Sequence, residues 1–317
     1  MIPLYIAIFV ISFFILTLSS NWLVGSLTRV AKFLGWKEFV VAFFTMALAS
    51  SVPNLSVGIS AALHSVPSLA FGEIVGNNII DLSLAVALAV IISRKGLALS
   101  SDTVQGSGIF TIFIAILPPL LVLDGVVSKG DGGLLILIFF IYIFWLFSRR
   151  ERFTKVYDHV VRKISLGSFF KSFSIMILAI FLLVLAAEGI VRSATYFSNL
   201  FHFPIALIGI LVVGMGNALP EIFFSIQAAR RGEDGVVIGN LMGSVIITAT
   251  LALGIVALIR PIEVEDISPF AVARFFLLIS AIFFLLFLRT GRKIDKKEAW
   301  FLLFLYLAFV AAEICFF

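Results

Sequence analysis

The chain has 317 residues, 62% of them hydrophobic and only 13% charged, with a mean hydropathy of +1.18. Soluble domains hold about 45–50% apolar and about 25% charged residues, so a water-soluble enzyme is excluded at the outset. A lone cysteine, Cys315, supports neither a disulfide framework nor a thiolate metal centre, and the net charge of +5 matters through its distribution.

A helix that crosses hydrocarbon needs about 20 apolar residues. In chain order, such runs fall at 2–24, 39–63, 68–92, 104–123, 133–148, 172–191, 204–229, 235–259, 268–288 and 298–316. They are unbroken, not alternating, which excludes an outer-membrane barrel. The first run has no basic residue before it and Arg29, Lys32 and Lys37 after it, so residues 1–24 read as a mature helix instead of a cleaved leader. Of the 23 basic residues, all but Lys129, Arg192, Arg260 and Arg274 fall on alternate connections. The positive-inside rule then predicts ten spans with both termini outside, in a multi-pass protein of the cell membrane. The internal connection 149–171 is basic and amphipathic through Phe153, Val156, Val160, Val161 and Ile164, and is expected to lie on the anionic cytoplasmic leaflet.

The stretch 49–90 aligns without a gap on 216–257, at a constant offset of 167. Pro53/Pro220, Gly72/Gly239 and Gly76/Gly243 are identical pairs, as are Ile59/Ile226, Ile79/Ile246 and Leu84/Leu251. Five spans separate the copies, and five is odd, so the copies cross the bilayer in opposite directions. The expected fold is an all-α polytopic membrane protein of two inverted five-helix repeats, 1–148 and 172–317, joined by the linker 149–171. Such folds place a substrate site near the midplane, where the repeats meet.

Each repeat helix carries polar residues near its centre at i and i+4, hence on one face. These are Ser50 and Asn54 beside Ser51, Asn77 and Asp81 around Asn78, Asn217 and Glu221, and Ser244 and Thr248. In hydrocarbon, such groups must converge on one another, on water or on ions. Pro53 and Pro220 lack the N–H that would bond four residues back, which frees the carbonyls of Ala49 and Gly216. Carboxylate, amide, hydroxyl and carbonyl oxygen, without sulfur or imidazole, make a donor set for hard cations such as Ca²⁺, Na⁺ or Mg²⁺. Ser, Thr and Asn also serve as glue between helices, but a mid-membrane carboxylate is functional by default, which singles out Asp81 and Glu221. The glycine pairs 72/76 and 239/243 are read mainly as close helix packing. Glu188, four residues before Arg192, is expected to pair with it at the interface, although its register partner Asn21 leaves a role in ion entry open. Glu313 is expected at the interface. His64, His159 and His202 fall in or beside loops.

At the repeats the sequence resembles the cation/calcium exchanger superfamily of Na⁺/Ca²⁺ and H⁺/Ca²⁺ antiporters, in its prokaryotic form. That family repeats Gly-[Ser/Thr]-Ser-x-Pro-Glu followed by Gly-Asn-x-x-Gly-Ser-Asn. Here the copies read ASSVPN (49–54) with GEIVGNNIID (72–81), and GNALPE (216–221) with GNLMGSVIIT (239–248). The resemblance implies principal ligands at Asn54 and Glu221, and partners at Asp81 and Thr248. It also implies side-chain ligands at Ser50, Ser51, Asn77, Asn217 and Ser244, none at Ala218, and backbone carbonyls at Ala47 and Gly214. Asn54 stands where the family has a carboxylate, and Thr248 where it often has one. The implied activity is exchange of Ca²⁺ or a similar divalent cation for Na⁺ or H⁺ by alternating access, with no cofactor and no nucleic-acid partner. A channel, an exchanger of another cation pair and an intramembrane enzyme are the alternatives, and no catalytic motif of the last is present. Two carboxylates give the site a charge of −2, which predicts electroneutral exchange of two monovalent ions per divalent ion.

Overall fold

The computed structural model describes residues 1–33, 38–93, 95–98, 102–148, 166–264, 268–290 and 293–316. The amphipathic part of the linker and His159 lie outside the described residues. Ten helices follow in chain order among those that are described: α1 (Ile2–Phe33), α2 (Glu38–Leu63), α3 (Pro67–Ile92), α4 (Asp102–Leu121), α5 (Lys129–Ser148), α6 (Leu166–Phe201), α7 (Ile205–Arg231), α8 (Asp234–Ile259), α9 (Ser268–Arg289) and α10 (Lys296–Phe316). Nine of them are apolar and long enough to cross a membrane, and in α2 the described apolar stretch is the shorter Ser51–Leu63. Helices α1 and α6 run to 32 and 36 residues, well past the predicted 2–24 and 172–191. A hydropathy window ends where polar residues begin, whereas backbone hydrogen bonding carries the helix on into water.

Local chemistry sets several boundaries. Pro67 opens α3 in its first turn, where the missing N–H leaves no bond unmade. Gly232 closes α7 in the left-handed region at φ 74°, which glycine adopts without steric cost. Neither Pro53 nor Pro220 splits its helix. The irregularities lie instead in π turns at Asp81–Ala85 in α3 and Thr248–Ala252 in α8, separated by the same 167 residues as the sequence copies. A third π turn, Gly209–Val213 in α7, has no counterpart in α2, whose backbone is α-helical over 42–46.

Burial shows which helices form the centre. In their most apolar stretches, 83% of α3, 72% of α8 and 61% of α7 are buried, against 17% of α1 and 28% of α5 and α10. Helices α3 and α7 touch backbone to backbone. A Cβ added to Gly72 would collide with the Ala206 carbonyl, and one on Gly76 with the Ile210 carbonyl. Gly214 would in turn meet the Asn77 nitrogen at 3.0 Å. Small residues are what allow two helices in lipid to approach this closely. No described atom lies within 4 Å of a Cβ on Gly243, so the second glycine pair does not repeat the contact of the first. Outside this centre α1 packs along α6, with Tyr5 stacked on Tyr196 at 3.9 Å and Ser12 seated against Gly189.

Two short antiparallel pairings join distant connections: β1 (Leu97–Ala98) with β4 (Lys293–Ile294), and β2 (Val126–Val127) with β3 (Ile262–Glu263).

Candidate cation site

The polar stripe of α3 carries Glu73, Asn77 and Asp81 at intervals of four, so all three share one helix face. All are fully buried. Asn77 Nδ2 donates to Asp81 Oδ2 at 3.1 Å within the stripe. On α7, Asn217 and Glu221 lie one turn apart and are each 2% exposed. Helix α8 contributes Ser244, whose hydroxyl donates to Glu221 Oε1 at 3.3 Å and also stands beside the Asp81 carboxyl. The structure thus brings Asp81 and Glu221 together around Ser244, from three different helices. Thr248 is engaged elsewhere: its hydroxyl lies 2.8 Å from Asn78 Oδ1 and 2.8 Å from the Ser244 carbonyl.

Several buried polar atoms on α2, α3 and α7 have no hydrogen-bond partner among the described residues. They include Asp81 Oδ1, Glu221 Oε2, Asn77 Oδ1, Asn217 Oδ1, Ser51 Oγ and both polar atoms of Asn54. Each such group costs about 1–3 kcal/mol when left unsatisfied. Nearly all of them are oxygens, the acceptors a hard cation takes up. Of Ser50, Ala47 and Ala49, only the helical backbone is described. Gly214 is pressed against α3, and Gly216 against the ring of Phe13 from α1. Ala218 is buried and brings no side-chain oxygen.

The family profile for sodium/calcium exchanger proteins matches residues 4–148 and 171–314. The chain belongs to the sodium/calcium exchanger family. It is 26% identical to the sodium/calcium exchanger MaX1 of Methanosarcina acetivorans, over 98% of each chain. It is 25% identical to the inner membrane protein YrbG of Escherichia coli, over 88% of this chain and 87% of that one. Among solved structures, the sodium-calcium exchanger NCX_Mj soaked with 100 mM Na⁺ and 10 mM Sr²⁺ aligns with a TM-score of 0.64 at 25% identity, covering 98% of this chain and 99% of that one. As a member of the exchanger family, the chain is a multi-pass protein of the cell membrane and a transmembrane antiporter in ion transport.

Two features of this family member were not anticipated from its sequence. Glu73 is a third fully buried carboxylate, and its Oε1 accepts a hydrogen bond from Asn217 Nδ2 at 2.8 Å. The signal was present, because Glu73 extends the Asn77–Asp81 spacing back by one turn. A search confined to helix centres passes over it. The second feature is Glu313, expected at the interface but buried against α9 beside Ala273, with neither carboxyl oxygen partnered among the described residues. Glu188 does pair with Arg192 as its spacing predicts, and the same oxygen also lies 3.0 Å from His64 Nε2.

Proposed function

We propose that the chain is a secondary antiporter that exchanges Ca²⁺, or a similar divalent cation, for Na⁺ or H⁺ at an oxygen site between α2, α3, α7 and α8. The observation that carries this reading is the pair Asp81 and Glu221, gathered around Ser244 with one free oxygen each. Two carboxylates facing one hard divalent ion balance its charge, and Asn54, Ser51, Asn77 and Asn217 supply neutral oxygens around it. Thr248, with Ser50 and the carbonyls of Ala47, Ala49, Gly214 and Gly216, completes the proposed ligand set. The site needs no cofactor, and nothing in the reading involves catalysis of a covalent step.

In this reading 1–148 and 172–317 are inverted five-helix halves with both termini outside, joined by 149–171 on the cytoplasmic face. The matching spacing of the two π turns and of the sequence copies supports the repeat. Helices α1 and α6, packed on each other at the margin of the centre, move against the four repeat helices to expose the site to either side in turn. The test is ⁴⁵Ca²⁺ uptake into proteoliposomes under imposed Na⁺ or H⁺ gradients. Saturable uptake that requires one of these ions on the opposite side is the expected result. Flux that needs no counter-ion would make the protein a channel.

A further inference from the structure

His64 directly follows α2, and both nitrogens of its ring face acceptors. Nδ1 lies 2.8 Å from the Ser60 carbonyl one turn back, and Nε2 lies 3.0 Å from Glu188 Oε1 on α6. Arg192 donates to that same Glu188 oxygen, which therefore accepts and has no proton to give. The Ser60 carbonyl likewise accepts from the backbone N–H of His64 at 3.0 Å. A neutral imidazole has one N–H and can make only one of the two ring contacts, while its other nitrogen turns a lone pair toward an oxygen. Only the imidazolium donates at both. A cation is also favoured at this place by the carbonyl end of the α2 dipole.

The two sides of this contact are held by different parts of the molecule. Ser65, the next residue, accepts from Arg260 just past α8 at 2.6 Å, and the Val66 N–H returns to the Ala61 carbonyl. The end of α2 is thus fastened to the second repeat, whereas Glu188 rides on α6. Solvent reaches both partners, with side chains 39% and 26% exposed. Helix α1, which packs on α2 and α6, has an exposed amino terminus and no charged side chain before Arg29, and its Tyr5 is stacked on Tyr196. The first turn of α3 and the last turns of α8 bring no charged side chain either. Among the described residues, the charged side chains around the ring are therefore Glu188, Arg192 and Arg260.

We infer that His64 and Glu188 form a proton-operated catch between α2 and α6, closed by the imidazolium and released when the ring loses a proton. The inference rests on the exchanger reading and adds a control on the movement of α6. Histidine is the side chain whose charge changes between about pH 5 and 8. Neutralising the ring leaves Glu188 to Arg192, which sits on the same helix, so α6 keeps its own pair and loses only its tie to α2. Protons bind the caught conformation better, and by linkage they shift the population toward it. Acid therefore holds α6 against the repeat helices and slows exchange, and alkali frees it. In the topology proposed above this is the outer face, so the acidity of the surroundings sets the rate.

The experiment follows exchange of external ⁴⁵Ca²⁺ for internal unlabelled Ca²⁺ in proteoliposomes holding the full chain, at the same pH on both sides. Self-exchange takes α6 through its movement without a driving ion, and proton competition at the cation site is common to wild type and variants. His64→Ala should match wild type at about pH 8 and exchange about two to five times faster than wild type at about pH 5.5, as suits a half-exposed ion pair. Glu188→Gln should give the same ratios from the other side of the contact, and keeps the test open should the His64 variant fail to fold. Variants no faster than wild type at about pH 5.5, or faster by the same factor at both pH values, overturn the catch alone. Wild type without ⁴⁵Ca²⁺ uptake, or with uptake that needs no Ca²⁺ inside, overturns the exchanger reading with it.

Discussion

Asn54 and Glu221 occupy corresponding places in the two copies but differ in charge, and this difference can be tested directly. Replacing Glu221 with Gln removes half of the charge facing the divalent ion while keeping the shape. Exchange should fall to background in a ⁴⁵Ca²⁺ flux assay, with an unchanged elution profile on size exclusion. Asn54 buries two polar atoms without partners among the described residues, and Leu is close to it in size. Asn54→Leu should therefore raise stability by about 1–3 kcal/mol in thermal unfolding while weakening Ca²⁺ binding. A fall in stability would mean that the amide is satisfied in the empty protein. Asn54→Glu should do the reverse for affinity, because it adds a carboxylate to the ligand set. Asp81 and Glu221 were legible from sequence because a carboxylate within an apolar run stands out. Glu73 was missed because its place, one turn nearer the helix start, gives no hint of Asn217, which reaches it from another helix and 144 residues away.

Among the helices, the crossing of α3 and α7 fixes the geometry of everything between them. Gly76→Ala should cost about 1–3 kcal/mol, since its Cβ would be driven into the Ile210 backbone and neither helix can yield without moving the site. Gly133→Ala in α5 is the control: no described atom lies within 4 Å of its Cβ, and the exchange should be neutral or stabilising by up to about 1 kcal/mol. Thermal unfolding in one detergent compares the two. Helix number and order were readable because apolar runs of membrane length are hard to mistake. The π turns were not, since local sequence does not dictate which carbonyl an N–H selects once two backbones are in contact.

At the scale of the molecule, α6 is tied to the end of α2 by the contact of Glu188 with His64, a link between residues too far apart in sequence for any spacing argument to find. Should α6 move against the repeat helices, this link must break in each cycle. In a Cys315→Ser background, His64→Cys and Glu188→Cys joined by a reversible bis-thiosulfonate cross-linker should lose most of their Ca²⁺ exchange and recover it on reduction. Full activity in the linked state would show that α6 and the end of α2 travel together.

The two small strand pairings carry a consequence in time. Helix α4 is flanked by β1 and β2, and their partners β4 and β3 emerge from the ribosome roughly 130–200 residues later, which at about 5–20 residues per second is a delay on the order of ten seconds or more. Throughout that interval the first half sits in the bilayer with its strand edges unfilled, and for the earlier part of it α3 also lacks α7. The protein therefore completes its early half only as it finishes its late one. A ribosome stalled before β3 should leave both edges open to protease supplied on the side that each faces, and release of the full chain should close both.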